Sequence, residues 1–217
     1  MIPIKDNNPR SAFPYMTLSL IIVNVIVYLY QVTLPPQDAQ AFINLYGAVP
    51  GYISVGRQLH SIFTSMFLHG GFLHLAGNML YLYIFGDNIE NVVGHLRFLG
   101  FYLICGLFAF TGQFILAPFS QIPMVGASGA ISGILGAYAL TFPGARVSVL
   151  IPFFFFIRIV AIPAAIVLGI WFIIQIYSGL SISSSSGGVA WFAHIGGFIA
   201  GLVLIRLFKK RHYRIQY

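Results

Sequence analysis

Ser128 follows Gly126-Ala127 at the start of one apolar segment, and His194 lies near the start of another, within Ala193-His194-Ile195-Gly196-Gly197. A serine hydroxyl is a poor nucleophile until a base takes its proton, and an imidazole can be that base. Attack on an amide builds an oxyanion, which needs hydrogen-bond donors. The run His69-Gly-Gly-Phe-Leu-His74-Leu-Ala-Gly-Asn78 supplies them. His74 and Asn78 are four apart and share a helix face. The Asn78 amide, a ring N–H of His74 and the backbone N–H of Ser128 at a helix start are suitable donors. The only acids are Asp6, Asp38, Asp87 and Glu90. None is placed to orient His194, so the constellation reads as a Ser–His dyad rather than a triad. A single cysteine, Cys105, excludes a disulfide framework and a cysteine-based metal site. It lies in an apolar run and reads as a buried thiol. Neither a metal nor a cofactor is expected.

The elements that carry these residues are dictated by composition. Of 217 residues, 59% are hydrophobic and 7% charged, where a soluble domain carries about a quarter charged. That excludes an ordinary water-soluble enzyme, a disordered chain and a nucleic-acid binder. Spanning helices of roughly 17–25 residues are expected. Six apolar runs fit: 16–34, 72–89, 98–117, 128–142, 162–177 and 189–207. The fold class is therefore all-α, a polytopic six-helix membrane bundle. Residues 35–68 read as a long loop lying partly in the membrane interface. Val147 to Val160 holds Pro152 and Arg158 and is too short in clean apolar residues to cross, so it reads as interfacial. The domain reading is a cytoplasmic segment 1–15, a membrane domain 16–208 and a basic cytoplasmic tail 209–217.

Six spans put both ends on one side. Lys5, Arg10, Arg97, Arg146, Arg158, Arg206, Lys209, Lys210, Arg211 and Arg214 then share that side, and only Arg57 falls opposite. Positive charge collects on the cytoplasmic face, so the termini are expected there, in a bacterial-type plasma membrane. Helices two, four and six then begin at the outer face. At 1.5 Å per residue, helix four is roughly 22 Å long, against a hydrocarbon core of about 30 Å. Ser128 and His194 thus both fall roughly 8 Å below the outer surface.

Small residues let membrane helices pack backbone to backbone. Gly129 and Gly133 form a GxxxG pair beside Ser128 and Ser132, and Gly197 and Gly201 form another on the His194 face. Packing of helices four and six through these glycines brings hydroxyl and imidazole within reach. The buried polar residues mark function by default. The bland alternatives are a Ser128 bonded to a helix carbonyl, an Asn78 serving as interhelical glue, and a structural His69. His60, His95 and His212 read as solvated, and Glu90 as capping or pairing near Arg97. The run Ser181–Ser186 with Gly187-Gly188 reads as linker or as a mobile lid.

These motifs resemble the rhomboid family of intramembrane serine proteases, over about His69 to Gly201. The resemblance rests on the spacing of His69, His74 and Asn78, on GxSG at Gly126–Gly129, on AHxGG around His194, and on Gly86, Glu90 and Gly94 at the end of helix two. It implies a six-helix bundle, cleavage of transmembrane segments of other membrane proteins, Ser128 as nucleophile and His194 as base. Asn78 and His74 take oxyanion-hole roles by the same resemblance. The implied partners are transmembrane substrates and the lipid bilayer, with no nucleic acid. Two positions depart from the family pattern. His60-Ser61 replace a Trp-Arg pair ahead of the helix-two motif, and Ser132 replaces a tyrosine that stacks on the histidine. The orienting role for His194 then falls to the Ser132 hydroxyl or to a neighbouring helix. A non-catalytic escort protein and a histidine-lined transporter are the rival readings of the same residues.

Overall fold

The computed structural model describes residues 2–9, 12–153, 156–181 and 189–210. Met1, Arg10, Ser11, Phe154, Phe155, the run 182–188 that reads as linker or lid, and the tail from Arg211 with His212 and Arg214 lie outside the described residues. The chain begins with strand β1 (Ile2–Asp6) and helix α1 (Tyr15–Thr33). Short helices α2 (Pro36–Tyr46), α3 (Pro50–Ile53) and α4 (Ser61–Thr64) follow. Then come α5 (Phe72–Val93), α6 (His95–Leu116) and α7 (Ser128–Thr141). Strands β2 (Arg146–Phe153) and β3 (Phe156–Pro163) lead into α8 (Ala164–Ser181) and α9 (Trp191–Phe208).

The described structure is mostly helical, but all-α is too narrow. β1, β2 and β3 form one antiparallel sheet in that order. Ile2 pairs with Leu150 and Asp6 with Val147, while Arg146 pairs with Pro163 and Phe153 with Phe156. The reason lies in the segment read as interfacial. It is rich in β-branched residues, and alternate positions Val147 and Val149 are fully buried while Ser148 and Leu150 are only partly so. Period-two burial with β-branched side chains favours a strand. Residues 35–68 are likewise not an open loop. Three short helices and a 3-10 turn at Ser65–Phe67 fold there, two of the helices started by Pro36 and Pro50 at their first positions.

Among the described residues, four helices are long and apolar enough to cross a membrane: α1, α6, α8 and α9. α7 is apolar but only 14 residues long. α5 has 22 residues and carries Asn78, Asp87, Asn88, Glu90 and Asn91. These two are the enclosed helices. Every residue of α7 from Ala130 to Tyr138 is buried, and so are most residues of α5 from Leu82 to Val93. A helix lined by protein rather than lipid need be neither uniformly apolar nor full length.

Glu90 shows how buried polarity in α5 is satisfied. It accepts from the backbone N–H groups of Met16 (2.9 Å) and Thr17 (2.7 Å), from the Thr17 hydroxyl (2.7 Å), and pairs with His95 Nδ1. The carboxylate caps the first turn of α1, where N–H groups lack helical partners. Its partner is therefore α1 and His95 rather than Arg97, and His95 is not a freely solvated loop residue. Gly94, at φ +92°, is the single-residue link between α5 and α6. That left-handed region favours glycine.

Glycines set the spacing of α7 and α9. A side chain on Gly197 would collide with the Gly129 carbonyl, one on Gly201 with the Gly133 carbonyl, and one on Gly136 with the Phe198 carbonyl. Gly133 also faces Cys105 on α6, and Cys105 is fully buried. This is the backbone-to-backbone approach that the two GxxxG pairs predict.

Candidate active site

α7 delivers Ser128 as its first residue, and α9 delivers His194 in its first turn. The glycine contacts bring the two ends together. His194 Nε2 lies 2.8 Å from Ser128 Oγ, within hydrogen-bond reach for proton transfer. Both residues are half-buried. They open onto a cavity of about 630 Å³ that is also lined by His74, Asn78, Trp171 and Trp191.

The approach to Ser128 is pinned from below. Ala48 and Met124 exchange backbone hydrogen bonds (3.0 and 2.9 Å), the Gly51 N–H donates to the Ser120 carbonyl, and the Gly126 N–H donates to the Ser65 carbonyl, both at 2.9 Å. Gly126 adopts φ +118°. A Cβ there would be strained, and it would also lie 2.7 Å from His74 Nε2 and 3.5 Å from Asn78 Nδ2. The glycine of GxSG thus allows the loop to turn into α7 and lets both side chains of α5 approach the backbone beside Ser128.

Asn78 is buried, and its Nδ2 lies 3.0 Å from His69 Nε2. One of its two amide protons can bond that nitrogen, which leaves the other for the cavity. His69 is 2% exposed. Gln31 on α1 holds its backbone from both sides: the Gln31 Oε1 accepts the His69 N–H at 3.1 Å, and the Gln31 Nε2 donates to the His69 carbonyl at 3.3 Å. His74 packs edge-on against His69, with ring centroids 5.1 Å apart. His74 Nδ1 accepts weakly from the Gly70 N–H at 3.4 Å. The structure therefore brings Ser128, His194, His74 and Asn78 around one cavity, with His69 behind Asn78.

The orientation of His194 is where the residues chosen from sequence fall short. Ser132 does not reach it. The Ser132 hydroxyl donates to the Ser128 carbonyl at 2.6 Å, one turn back along the same helix. Instead, His194 Nδ1 lies 2.7 Å from Oε1 of Gln175 on α8. Gln175 is 4% exposed, and its Nε2 donates to the Trp171 carbonyl at 3.2 Å. Trp171 and Trp191 flank the imidazole, with ring centroids 5.9 and 6.2 Å from it. The signal for Gln175 was a lone amide in the apolar run 162–177, and polar groups in membrane helices are worth questioning one by one. Gln31 is one of two amides, with Asn24, in the first apolar run.

In the first loop, His60 and Thr64 both reach the end of α2. His60 Nε2 lies 3.2 Å from the Leu45 carbonyl, and the Thr64 hydroxyl donates to the Tyr46 carbonyl at 2.7 Å. His60 thus fastens α4 to the end of α2 and is not merely solvated.

The family model described as Rhomboid domain matches residues 56–211. The chain is 36% identical over 156 residues to RHOMBOID-like protein 6, mitochondrial, of Arabidopsis thaliana, covering 69% of this chain and 43% of that protein. It is 27% identical over 194 residues to Rhomboid protease GluP of Bacillus subtilis, covering 89% of this chain and 34% of the relative. Against Rhomboid protease AarA of Providencia stuartii it is 31% identical over 137 residues, covering 56% of this chain and 49% of the relative. The chain thus spans less than half the length of each of these three relatives. With four helices apolar enough to cross a bilayer and a family model covering most of its length, the chain is an integral membrane protein that belongs to the rhomboid family, known for intramembrane serine proteases.

Proposed function

We propose that this protein is an intramembrane serine endopeptidase that cuts transmembrane segments of other membrane proteins. The observation that carries the reading is the 2.8 Å approach of His194 Nε2 to Ser128 Oγ across two glycine-packed helices. In the proposed reaction His194 takes the Ser128 proton as the hydroxyl attacks the scissile carbonyl, and then gives it to the leaving amine. The Ser128 backbone N–H, Asn78 and His74 hold the oxyanion. Water entering the cavity hydrolyses the acyl-enzyme.

α1, α5, α6, α7, α8 and α9 are the six proposed spans, set between a terminal segment 1–15 and a basic tail 209–217. The ten-to-one division of basic residues supports cytoplasmic termini, an outer-face site and a bacterial-type inner membrane. Mitochondrial relatives also exist, so the membrane is identified by localisation of the tagged protein. Amides already bonded within a helix are poor targets, so substrates with helix-weakening residues near the cut are preferred.

A fluorophosphonate probe tests the reading directly. It labels Ser128 in the native protein, the label disappears in Ser128→Ala, and it falls strongly in His194→Ala. Undiminished labelling of Ser128→Ala removes Ser128 as the nucleophile and the proposed reaction with it.

A further inference from the structure

Gln175 contacts the histidine but does not line the cavity that Ser128, His74 and Asn78 share. It lies behind the ring, buried, on α8, which carries neither the nucleophile, the base nor an oxyanion donor. We infer that Gln175 is a positioning residue that fixes the tautomer of His194 and aims its ring at Ser128. This rests on the reading of Ser128 and His194 as nucleophile and base.

The direction of each hydrogen bond follows from donor and acceptor chemistry. An amide oxygen only accepts and an amide nitrogen only donates. The Trp171 carbonyl, 3.2 Å away, can only accept, so the Gln175 Nε2 points at it. That leaves the Gln175 Oε1 facing His194 Nδ1 at 2.7 Å. Nδ1 must then carry the proton. In a neutral imidazole the other nitrogen, Nε2, is left with its lone pair, and that is the nitrogen 2.8 Å from the Ser128 hydroxyl. The tautomer held this way is the one a general base requires. A free imidazole would divide between two tautomers, and only one can accept the Ser128 proton.

The neutral amide differs from a carboxylate in that role. It orients the ring without placing a full negative charge beside the imidazolium that forms during proton transfer. Of the described residues lining the cavity, His74 and Tyr81 are the only titratable ones besides His194. The aromatic and amide neighbours of the imidazole, Trp171, Gln175 and Trp191, come from α8 and α9. α8 therefore acts on the reaction through the orientation of the imidazole.

The test uses the full chain in lipid or detergent, with histidine labelled with ¹⁵N at both ring positions. At neutral pH the native protein shows a protonated Nδ1 and an unprotonated Nε2 for His194. Gln175→Leu shows mixed tautomers, labels Ser128 with fluorophosphonate about tenfold more slowly, in the range of one lost hydrogen bond, and lowers kcat with little change in KM. Gln175→Glu, with its buried carboxyl protonated on the oxygen that faces the Trp171 carbonyl, keeps an acceptor at the same reach of His194 and recovers most of the rate. An unchanged tautomer and native labelling rate in Gln175→Leu overturn the inference. So does a slow Gln175→Leu that Gln175→Glu fails to rescue, because that pattern belongs to packing alone. Where Gln175→Leu does not fold, a mixed tautomer in the native protein overturns it by itself. Labelling that survives Ser128→Ala overturns the protease reading instead, while the tautomer measurement still decides the link between Gln175 and His194.

Discussion

Glu90 Oε2 accepts from both the backbone N–H and the hydroxyl of Thr17, each at 2.7 Å. One carboxylate on the far end of α5 from Asn78 thereby holds the start of α1. Glu90→Ala leaves first-turn N–H groups of α1 without that acceptor, and it destabilises the protein by roughly 2 kcal/mol, in the range of a lost cap or a buried unsatisfied group. Reversible unfolding in mixed micelles measures the loss. Rates per folded molecule stay native, because the lost contact joins the start of α1 to the end of α5, whereas Gln31 and Asn78 act from the opposite ends of those helices.

Asn78 and His69 form a second coupled pair. Asn78→Ala removes an oxyanion donor and lowers kcat by about 10²-fold, while KM changes little. His69→Leu frees the Asn78 amide to rotate and lowers kcat less. The double variant is no worse than Asn78→Ala alone, since His69 acts through Asn78. Additive losses in steady-state cleavage would show that His69 acts independently.

The glycine contacts differ in their tolerance. Gly197→Ala places a methyl against the Gly129 carbonyl, so it forces α7 and α9 apart and destabilises by about 1–3 kcal/mol. Labelling of Ser128 falls as the hydroxyl and imidazole separate. Gly169→Ala on α8 meets nothing within 4 Å, and it changes stability by less than about 1 kcal/mol, in the stabilising direction expected for alanine in a helix. Equal losses for both variants would remove close packing as the explanation.

Asp6 gives a pH dependence with a definite sign. It accepts from the Tyr138 hydroxyl (2.6 Å) and from Asn88 Nδ2 (3.0 Å). Burial lifts its carboxyl above the usual carboxylate range and the nearby charge of Asp87 adds to this, outweighing the opposing Tyr138 hydrogen bond. A raised carboxyl makes the folded state bind its proton more tightly than the unfolded chain does. The Asp6 contribution to stability therefore improves as pH falls through its folded value, and it levels off below about pH 3.9, the unfolded value. Hydrogen exchange of residues 2–6 slows over that interval. Asp6→Asn, which retains an acceptor, removes the dependence.

The helices and the central pair were legible in the sequence because long apolar runs and glycine spacing report directly on lipid and on close packing. The run 128–142 predicts α7 to within a residue of its end at Thr141. The boundary after α5 was less legible. The apolar run stops near Ile89, yet the helix continues to Val93, because Asp87, Asn88 and Glu90 find partners inside the protein. The sheet was hidden for a different reason. Pairing of residues 2–6 with 147–150 is a long-range event that local hydropathy does not encode. Gln175 was missed because a single amide in an apolar helix has no spacing partner in sequence, and its partner His194 belongs to the next helix.

That long-range sheet carries a consequence for biosynthesis. Ile2 meets its partner only after Leu150 has been made. At about 5–20 residues per second, the first strand waits roughly ten seconds or more on the ribosome. Throughout that interval its backbone amides are open to any other strand, so a chaperone or the insertion machinery that occupies this short segment early would govern how much nascent chain matures correctly.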